Sequence, residues 1–303
     1  MGKQSYSSVE IRLKDLLALK QQAEILSVPQ TKKNVYTGVG DMPSPFKSRG
    51  LDFQEVRVYQ PGDDIRQIDW RVTAKYGKPF TKLYTEEKDR CLFFVCDLRS
   101  NMHFASHGDF KSVIVARITA FLAFMAAHKN DRIGAVLLTD EGLHIVPVEK
   151  SDTHLMELLH GLVEPTANTH VESSLYSAFK QLGQLLPSGS FIFVLSDFCD
   201  WDEKAKKELA HFSIKNTILL CPVYDALETQ LPKGKFTFSD GEKQLTLDTA
   251  KAAFQKKFSN VWAQRMHQLQ VAASGQGWGL MPVDTDSDYL ALLTHYCMRG
   301  EAV

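Results

Sequence analysis

The stretch Cys91-Leu-Phe-Phe-Val-Cys-Asp97-Leu-Arg-Ser-Asn-Met102 decides the fold class of this chain. Its apolar run shows no alternation and stops at Asp97, where a polar segment begins. An apolar run without alternation is typical of a strand that is buried on both faces, as in a parallel sheet. In open α/β sheets, ligands bind outside the carboxyl ends of such strands. We therefore expect Asp97 to lie at a binding edge.

The rest of the chain alternates between strand and helix patterns. Strands are predicted near residues 91–97, 132–139, 143–148, 190–196, 214–223 and 278–283. Helices are predicted near residues 109–129, 151–163, 171–186, 202–211, 250–273 and 286–299. This alternation predicts an α/β fold with a doubly wound, mostly parallel Rossmann-type sheet covered by helices on both faces. The turn Asp140-Glu-Gly142 predicts a hairpin that adds an antiparallel edge to the sheet.

Two domains are expected, with a boundary near residue 90. Residues 1–90 combine an amphipathic helix at about 7–28 with a β-rich extension that contains strands at 53–59 and 78–84. Residues 91–303 form the α/β domain. A β-hairpin insertion is predicted within it at about 227–249.

The composition argues against several classes of function. A formal net charge of −1 gives no reason to expect nucleic acid or an anionic membrane as a partner. We find no run of about 18 apolar residues and no signal-peptide pattern, so no membrane span is expected. The five cysteines form no CxxC pair, which argues against a zinc site and a disulfide framework. These observations predict a cytoplasmic protein.

Two aspartates follow apolar runs that we predict to be strands. Asp97 ends the first run, Asp197 ends Phe191-Ile-Phe-Val-Leu-Ser-Asp197, and Thr169 precedes a predicted helix between them. Two carboxylates and a hydroxyl at one edge of a sheet could hold a hard divalent cation through oxygen ligands. Alternatively, the three residues cap helix N-termini, where hydroxyls and negative charges are favoured.

These segments resemble the metal-binding loops of von Willebrand factor A-type domains. Asp97-Leu-Arg-Ser-Asn-Met102 is similar to their Asp-x-Ser-x-Ser-Met loop, Thr169-His-Val-Glu-Ser-Ser-Leu175 to their Thr segment, and Leu195-Ser-Asp197 to their second aspartate. The resemblance implies a Mg²⁺ or Mn²⁺ site at Asp97, Thr169 and Asp197.

Arg99 and Asn101 occupy the positions of the two serines in that loop. An arginine cannot ligate a metal and is always charged, whereas the amide oxygen of an asparagine still can ligate. We therefore expect a degenerate site with no cofactor, or with weakly bound Mg²⁺ or Mn²⁺. Arg99 would either pair with Asp97 or Asp197 or turn outwards to a partner.

A second motif is Gly62-Asp-Asp-Ile-Arg-Gln-Ile-Asp-Trp70, which supplies the candidate residues Asp63, Asp64, Arg66, Asp69 and Trp70. Considered as residues alone, Asp63 or Asp64 caps a short helix, Arg66 pairs with a carboxylate, and Trp70 packs into the core. The motif resembles the signature Gly-Asp-Asp-x-Arg-x-Ile-Asp-Trp of the bacterial domain of unknown function 58 family. The resemblance covers roughly residues 35–300. It implies a von Willebrand A-type domain that works with a MoxR-type AAA+ ATPase in assembling or activating client proteins.

Three functions follow from these observations. The first is a non-enzymatic interaction module that engages the ATPase or its client through a binding rim, which we define as Asp97, Arg99, Asn101, Thr169 and Asp197. The second is a metal-dependent hydrolase in which Asp97 and Asp197 hold a cation that activates water. The third is a structural domain in which the signature segment joins the extension to the core.

Overall fold

The structure is a computed structural model, and it describes residues 8–27, 53–60, 63, 65–84, 90–169, 171–239 and 244–293. It divides into two compact units, Lys47–Asp89 and the remainder, which joins Met1–Phe46 to Arg90–Val303. The break between Asp89 and Arg90 agrees with the predicted boundary near residue 90, whereas Met1–Phe46 belongs with the larger unit and not, as predicted, with the β-rich extension. The predicted N-terminal helix forms α1 (Leu13–Leu17) and α2 (Leu19–Ser27), whose buried Leu16, Leu19 and Ala23 belong to the core of the α/β unit.

The smaller unit is a two-stranded antiparallel sheet with a short helix. Strand β1 (Phe53–Val58) pairs with β2 (Phe80–Tyr84), and α3 (Trp70–Tyr76) lies between them in the chain. Both strands were predicted, the first of them from its alternating pattern. Helix α3 ends at Gly77, whose positive φ of 70° suits a glycine after a helix.

The larger unit contains the predicted parallel sheet. Its strands are β3 (Cys91–Asp97), β4 (Arg132–Leu138), β5 (Leu143–Glu149), β6 (Phe191–Ser196), β7 (Thr217–Tyr224), β10 (Gly279–Leu280) and β11 (Val283–Asp284). The order is β10-β7-β6-β3-β4-β5, with β11 also on β7, and only β5 runs antiparallel to its neighbour. The prediction of a mostly parallel α/β sheet with an antiparallel edge is confirmed. The predicted insertion forms β8 (Lys235–Ser239) and β9 (Gln244–Asp248), whereas its turn lies outside the described residues.

Strand β3 is buried along its whole length, and its side chains alternate between two hydrophobic cores. Leu92, Phe94 and Cys96 enter the core under α4 (Lys111–His128) and α5 (Asp152–Val163). Cys91, Phe93 and Val95 enter the core under α6 (Leu175–Leu185), α7 (Glu203–Ala210) and α9 (Ala252–Gln276). The short helix α8 (Ala226–Thr229) follows β7. This two-sided burial explains why the sequence of the strand shows no alternation.

Helix α4 is buried along most of its length and is mostly apolar, with Lys111 and Arg117 buried in it. Leu16 and Leu19 from the N-terminal helices join its own residues in the core on this face of the sheet. Contrary to our expectation, α4 is long and apolar enough to cross a membrane by length and composition alone. In this fold 89% of it is buried, as expected of a helix enclosed by a sheet and other helices.

The placement of α2 can be tested with the variants Leu19→Ala and Ile25→Ala. Leu19 is buried, whereas Ile25 on the same helix is 71% exposed. We expect Leu19→Ala to lower the free energy of unfolding by about 2–5 kcal/mol, because it leaves a cavity against α4. Ile25→Ala should change it by less than about 0.5 kcal/mol. Urea denaturation followed by circular dichroism measures both, and equal effects would contradict the packing of α2.

Candidate functional site

The two aspartates singled out by the sequence lie side by side in the fold. Asp97 ends β3, and Asp197 directly follows β6, the parallel neighbour of β3. From β3 the chain passes to β4 on one side, while β6 lies on the other side. Strand order thus reverses between β3 and β6, which is the position where ligands bind in open α/β sheets.

Asp97 is fully buried and forms a two-pronged ion pair with Arg99. The Arg99 Nε lies 2.8 Å from Asp97 Oδ1, and Nη2 lies 2.6 Å from Oδ2. Ser196 Oγ donates a further hydrogen bond to Oδ2 at 2.7 Å. Of the two predicted positions for Arg99, the structure therefore shows the inward one. A guanidinium fork matches a carboxylate in this geometry and gives a strong, oriented contact.

Arg99 also pairs with Asp200, a residue that the sequence analysis did not select. Nη1 and Nη2 lie 3.0 and 3.1 Å from the two Asp200 carboxylate oxygens, and Nη1 donates to the carbonyl of Ser173 at 3.3 Å. These contacts use the full set of Arg99 side-chain donors. Burial opposes the charge, but the hydrogen bonds and negative charges of Asp97 and Asp200 hold the pKa of Arg99 above its ordinary value.

Asp197 has a separate cation, Lys111 at the start of α4. Lys111 Nζ lies 3.0 Å from Asp197 Oδ2 and 2.9 Å from Glu228 Oε1, and the side chain of Lys111 is almost completely buried. Burial disfavours the Asp197 charge, yet the ammonium of Lys111 and the N–H of Cys199 keep the pKa of Asp197 below its ordinary value. For Lys111, burial is likewise outweighed by the charges of Asp197 and Glu228, so its pKa is raised.

Asn101 lies next to this second ion pair. Its Nδ2 donates to Asp197 Oδ2 at 3.0 Å, and the residue is exposed. The preceding Ser100 donates from its backbone N–H and its hydroxyl to Asp140, in the turn between β4 and β5. Asn101 is therefore the exposed member of the binding rim.

Thr169 does not start a helix, contrary to our expectation. Its Oγ1 donates to the carbonyl of Leu143 at 3.0 Å, and the N-cap of α6 is Ser174. A Cβ on Gly142 would lie 2.4 Å from the Thr169 carbonyl oxygen, so the turn after β4 must have glycine there. Thr169 thus holds its segment against β5, and its hydroxyl proton is not available to a ligand.

The alternative in which both aspartates cap helices is also corrected. Asp97 Oδ1 and Asp197 Oδ1 accept from the N–H groups of Arg99 and Cys199, two residues further on, which is a turn interaction. Asp202 is the residue that caps α7. Cys199 is exposed as a residue, but partial desolvation of its thiol and the neighbouring Asp197 charge raise the pKa of this thiol to about 12, so it is a poor nucleophile near neutral pH.

The residues around Asp97 and Asp197 do not fit a divalent cation. Arg99 and Lys111 place positive groups within 3.0 Å of the carboxylate oxygens that a metal would need. At an effective dielectric constant near 20, a unit charge repels a divalent ion 4 Å away by about 8 kcal/mol. Within the described ranges, no group of three or more His, Cys, Asp or Glu side chains is arranged to hold a metal.

The signature segment has a different arrangement from the expected one. Asp63 Oδ1 pairs with Arg57 at 2.6 Å, whereas Asp69 caps α3 by accepting from the N–H groups of Arg71 and Val72. Trp70, expected in the core, is 67% exposed. Arg66 is exposed as well, and Asp64 lies outside the described residues.

Sequence analysis missed Asp200 and Lys111, although each had a signal. Asp200 is an acidic residue three positions after the expected Asp197, and Lys111 is a charge at the start of a mostly apolar helix. Their partners are 101 and 86 residues away in the chain. Such pairings depend on which strands are neighbours, and residue spacing alone does not specify that.

Comparison with known proteins establishes the family. The sequence profile of the family described as "Protein of unknown function DUF58" matches residues 55–268. The chain belongs to this family. The resemblance based on the motif at residues 62–70 is thereby confirmed.

This chain is also similar to a distant relative and to two solved structures. An uncharacterized protein of Mycobacterium bovis is 25% identical over 281 residues, which cover 89% of this chain and 86% of the relative. The solved structure of the conserved hypothetical protein BatB from Bacteroides thetaiotaomicron is 13% identical, with a TM-score of 0.44 over 67% of this chain and 93% of BatB. A von Willebrand factor type A structure from Catenulispora acidiphila is 14% identical, with a TM-score of 0.34 over 48% of this chain and 35% of its own.

One comparison corrects an expectation about location. An aerotolerance-related membrane protein from Bacteroides fragilis is 11% identical, with a TM-score of 0.43 over 70% of this chain and 98% of its own. The prediction of a cytoplasmic protein is contradicted by this similarity to a membrane protein.

The Arg99 network can be tested by removing the guanidinium. We expect Arg99→Ala to lower the free energy of unfolding by about 3–5 kcal/mol, because the buried Asp97 charge loses its partner. Arg99→Lys should restore part of the loss, since an ammonium supplies the charge without the fork. Adding Asp97→Asn to Arg99→Ala should also recover stability. Urea denaturation gives the three values, and a loss below about 1 kcal/mol in Arg99→Ala would contradict the network.

The Asp197 pair predicts a pH dependence. A carboxyl whose pKa is lowered by folding stabilises the protein above its ordinary pKa of 3.8 and loses this contribution as the pH falls through the folded pKa. The difference in unfolding free energy between the wild type and Asp197→Asn should therefore be largest near neutral pH and shrink below about pH 4. Denaturation curves between about pH 7 and pH 2 measure it, and a constant difference would contradict the charge pairing.

Proposed function

We propose that this DUF58 protein is a non-enzymatic protein-interaction module whose binding rim works without a bound cation. The observation that supports this role is the Arg99 guanidinium held between Asp97 and Asp200. Arg99 joins the end of β3 to Ser173 before α6 and to the loop after β6. Loops fixed in this way lose little conformational freedom on binding, which favours recognition of a partner.

The partner would contact the exposed groups around this network. Lys111 is buried, the Arg99 side chain is 14% exposed, and both bond to internal acceptors, so neither charge is offered to a ligand. Asn101, Asp140, Glu141 and Glu172 are exposed on the neighbouring segments. These segments are linked to the rim by the bonds from Ser100 to Asp140 and by the close packing of Gly142 against the backbone carbonyls of Thr169 and Val171.

The partner class that the family resemblance implies is a MoxR-type AAA+ ATPase, and we propose it or its client as the occupant of the rim. The metal-dependent hydrolase considered above needs carboxylate oxygens that are free to hold a cation. Asp97 and Asp197 instead accept from Arg99 and Lys111, so this geometry does not favour the hydrolase.

The proposal can be tested by measuring binding to a purified MoxR-type ATPase from the same organism. With the ATPase kept free of nucleotide, binding should be the same in EDTA and in Mg²⁺, because Arg99 stands in place of the ion. Glu141→Arg with Glu172→Arg should weaken binding about tenfold or more, since it reverses two exposed charges at the rim. Calorimetry on the full-length proteins gives the affinities.

Glu203→Arg on the exposed surface of α7 is the matched control, and it should leave the affinity unchanged. Melting temperatures of all variants should stay close to that of the wild type, because these side chains are exposed. Loss of binding in EDTA that is restored by Mg²⁺ would contradict the cation-independent rim. Absence of binding to the ATPase would overturn this choice of partner.

A further inference from the structure

We propose that the exposed face of helix α3 is a second docking surface and that it binds an acidic protein segment. This α3 face consists of Trp70, Arg71, Ala74, Lys75 and the adjacent Lys78. It lies in the smaller unit, within the signature segment that the binding rim does not use. The inference therefore does not depend on the function proposed for the rim.

The spacing of these residues places them together on one side of the helix. Trp70 and Ala74, like Arg71 and Lys75, are four residues apart, and side chains at this spacing are neighbours on a helix. All four are exposed, whereas Val72 and Thr73 are half-buried. The α3 face thus presents an indole and two cations side by side.

Local hydrogen bonds fix the face in this orientation. Asp69 accepts from the N–H groups of Arg71 and Val72, and its own N–H donates to the carbonyl of Phe80 at 2.8 Å. Thr73 Oγ1 accepts from the N–H of Phe80 at 3.0 Å. The helix is therefore anchored to the start of β2 on its inner side, and the exposure of Trp70 follows from that anchoring.

The charges on this segment are one-sided. Residues 70–78 contain three cations and no carboxylate, and Asp69 just before them is engaged at the start of the helix. Within the described part of this unit, Arg71 and Lys78 form no ion pair, and Lys75 lies 5.4 Å above the ring of Tyr76. Trp and Arg are the residues that most often dominate protein interfaces, and a cationic surface is complementary to an acidic partner.

A protein segment fits this surface better than a membrane does. An interfacial helix needs an extended apolar face that can enter the lipid, together with cations for the headgroups. Helix α3 has seven residues and spans only about 10 Å, and Trp70 is the large apolar side chain on the face defined here. A single aromatic anchor flanked by cations suits one acidic segment that has an apolar residue to place against the indole.

The experiment uses the full-length chain and a fluorescein-labelled synthetic peptide rich in Glu and Leu. Fluorescence anisotropy should show binding of this peptide and none of its twin in which Gln replaces Glu. Trp70→Ala should weaken binding about thirtyfold, as expected for an aromatic anchor. Arg71→Glu with Lys75→Glu should abolish binding of the acidic peptide and create binding of a Lys-rich twin. Added salt should weaken the wild-type complex.

Lys204→Glu with Lys207→Glu, two exposed lysines on α7, is the control for net charge and should bind like the wild type. Unchanged thermal melting of the α3 variants is expected because the side chains are exposed, so lost binding would not reflect unfolding. Binding that depends equally on the α7 lysines, or no binding of the acidic peptide, would overturn the proposal. Trp70-dependent binding to phosphatidylglycerol vesicles without peptide binding would overturn it in favour of a membrane surface.

Discussion

A buried carboxylate needs a counter-charge, and in this protein that requirement falls on Asp97. It ends the central strand of the sheet with no exposure to solvent, between cores on both faces. The effective penalty for burying one unpaired ion is several kcal/mol, comparable with the total stability of many domains. Arg99, two residues further on, removes this penalty through its fork, and the hydroxyl of Ser196 completes the hydrogen bonding.

The pairing of Asp97 with Arg99 also holds other segments together at the carboxyl edge of the sheet. The Arg99 donors that do not bond to Asp97 donate hydrogen bonds to Asp200 and to the backbone carbonyl of Ser173. Lys111 does the same for Asp197 and Glu228 on the other side of the switch point. Two internal cations therefore join loops from four parts of the chain. A bound metal ion often has this role at such an edge, but an arginine and a lysine are permanent parts of the protein.

The two candidate surfaces differ in how their charges are used. At the binding rim the cations are neutralised internally, so a partner of the kind we propose would contact exposed groups such as Asn101. On the α3 face the cations are not neutralised in this way. The neighbouring carboxylate, Asp69, caps the helix, and Arg71, Lys75 and Lys78 are exposed. Only the second surface presents positive charge and an exposed tryptophan to a partner. The signature motif of the family thus contains both the residue that anchors the helix, Asp69, and the residue that the anchoring exposes, Trp70.

The sequence by itself determined the sheet, most of its helices and the position of the site. An uninterrupted apolar run as short as residues 91–96 is typical of a strand covered on both faces, and the polar residue that ends such a strand lies at the edge of the sheet. Only the tertiary structure decided that Leu16 and Leu19 pack into the core, that Asp200 and Lys111 complete the site, and that Trp70 is exposed. The spacing of apolar residues in a segment indicates which of its faces is buried. The choice of partner between segments a hundred residues apart depends on strand order and register, which a local pattern does not contain.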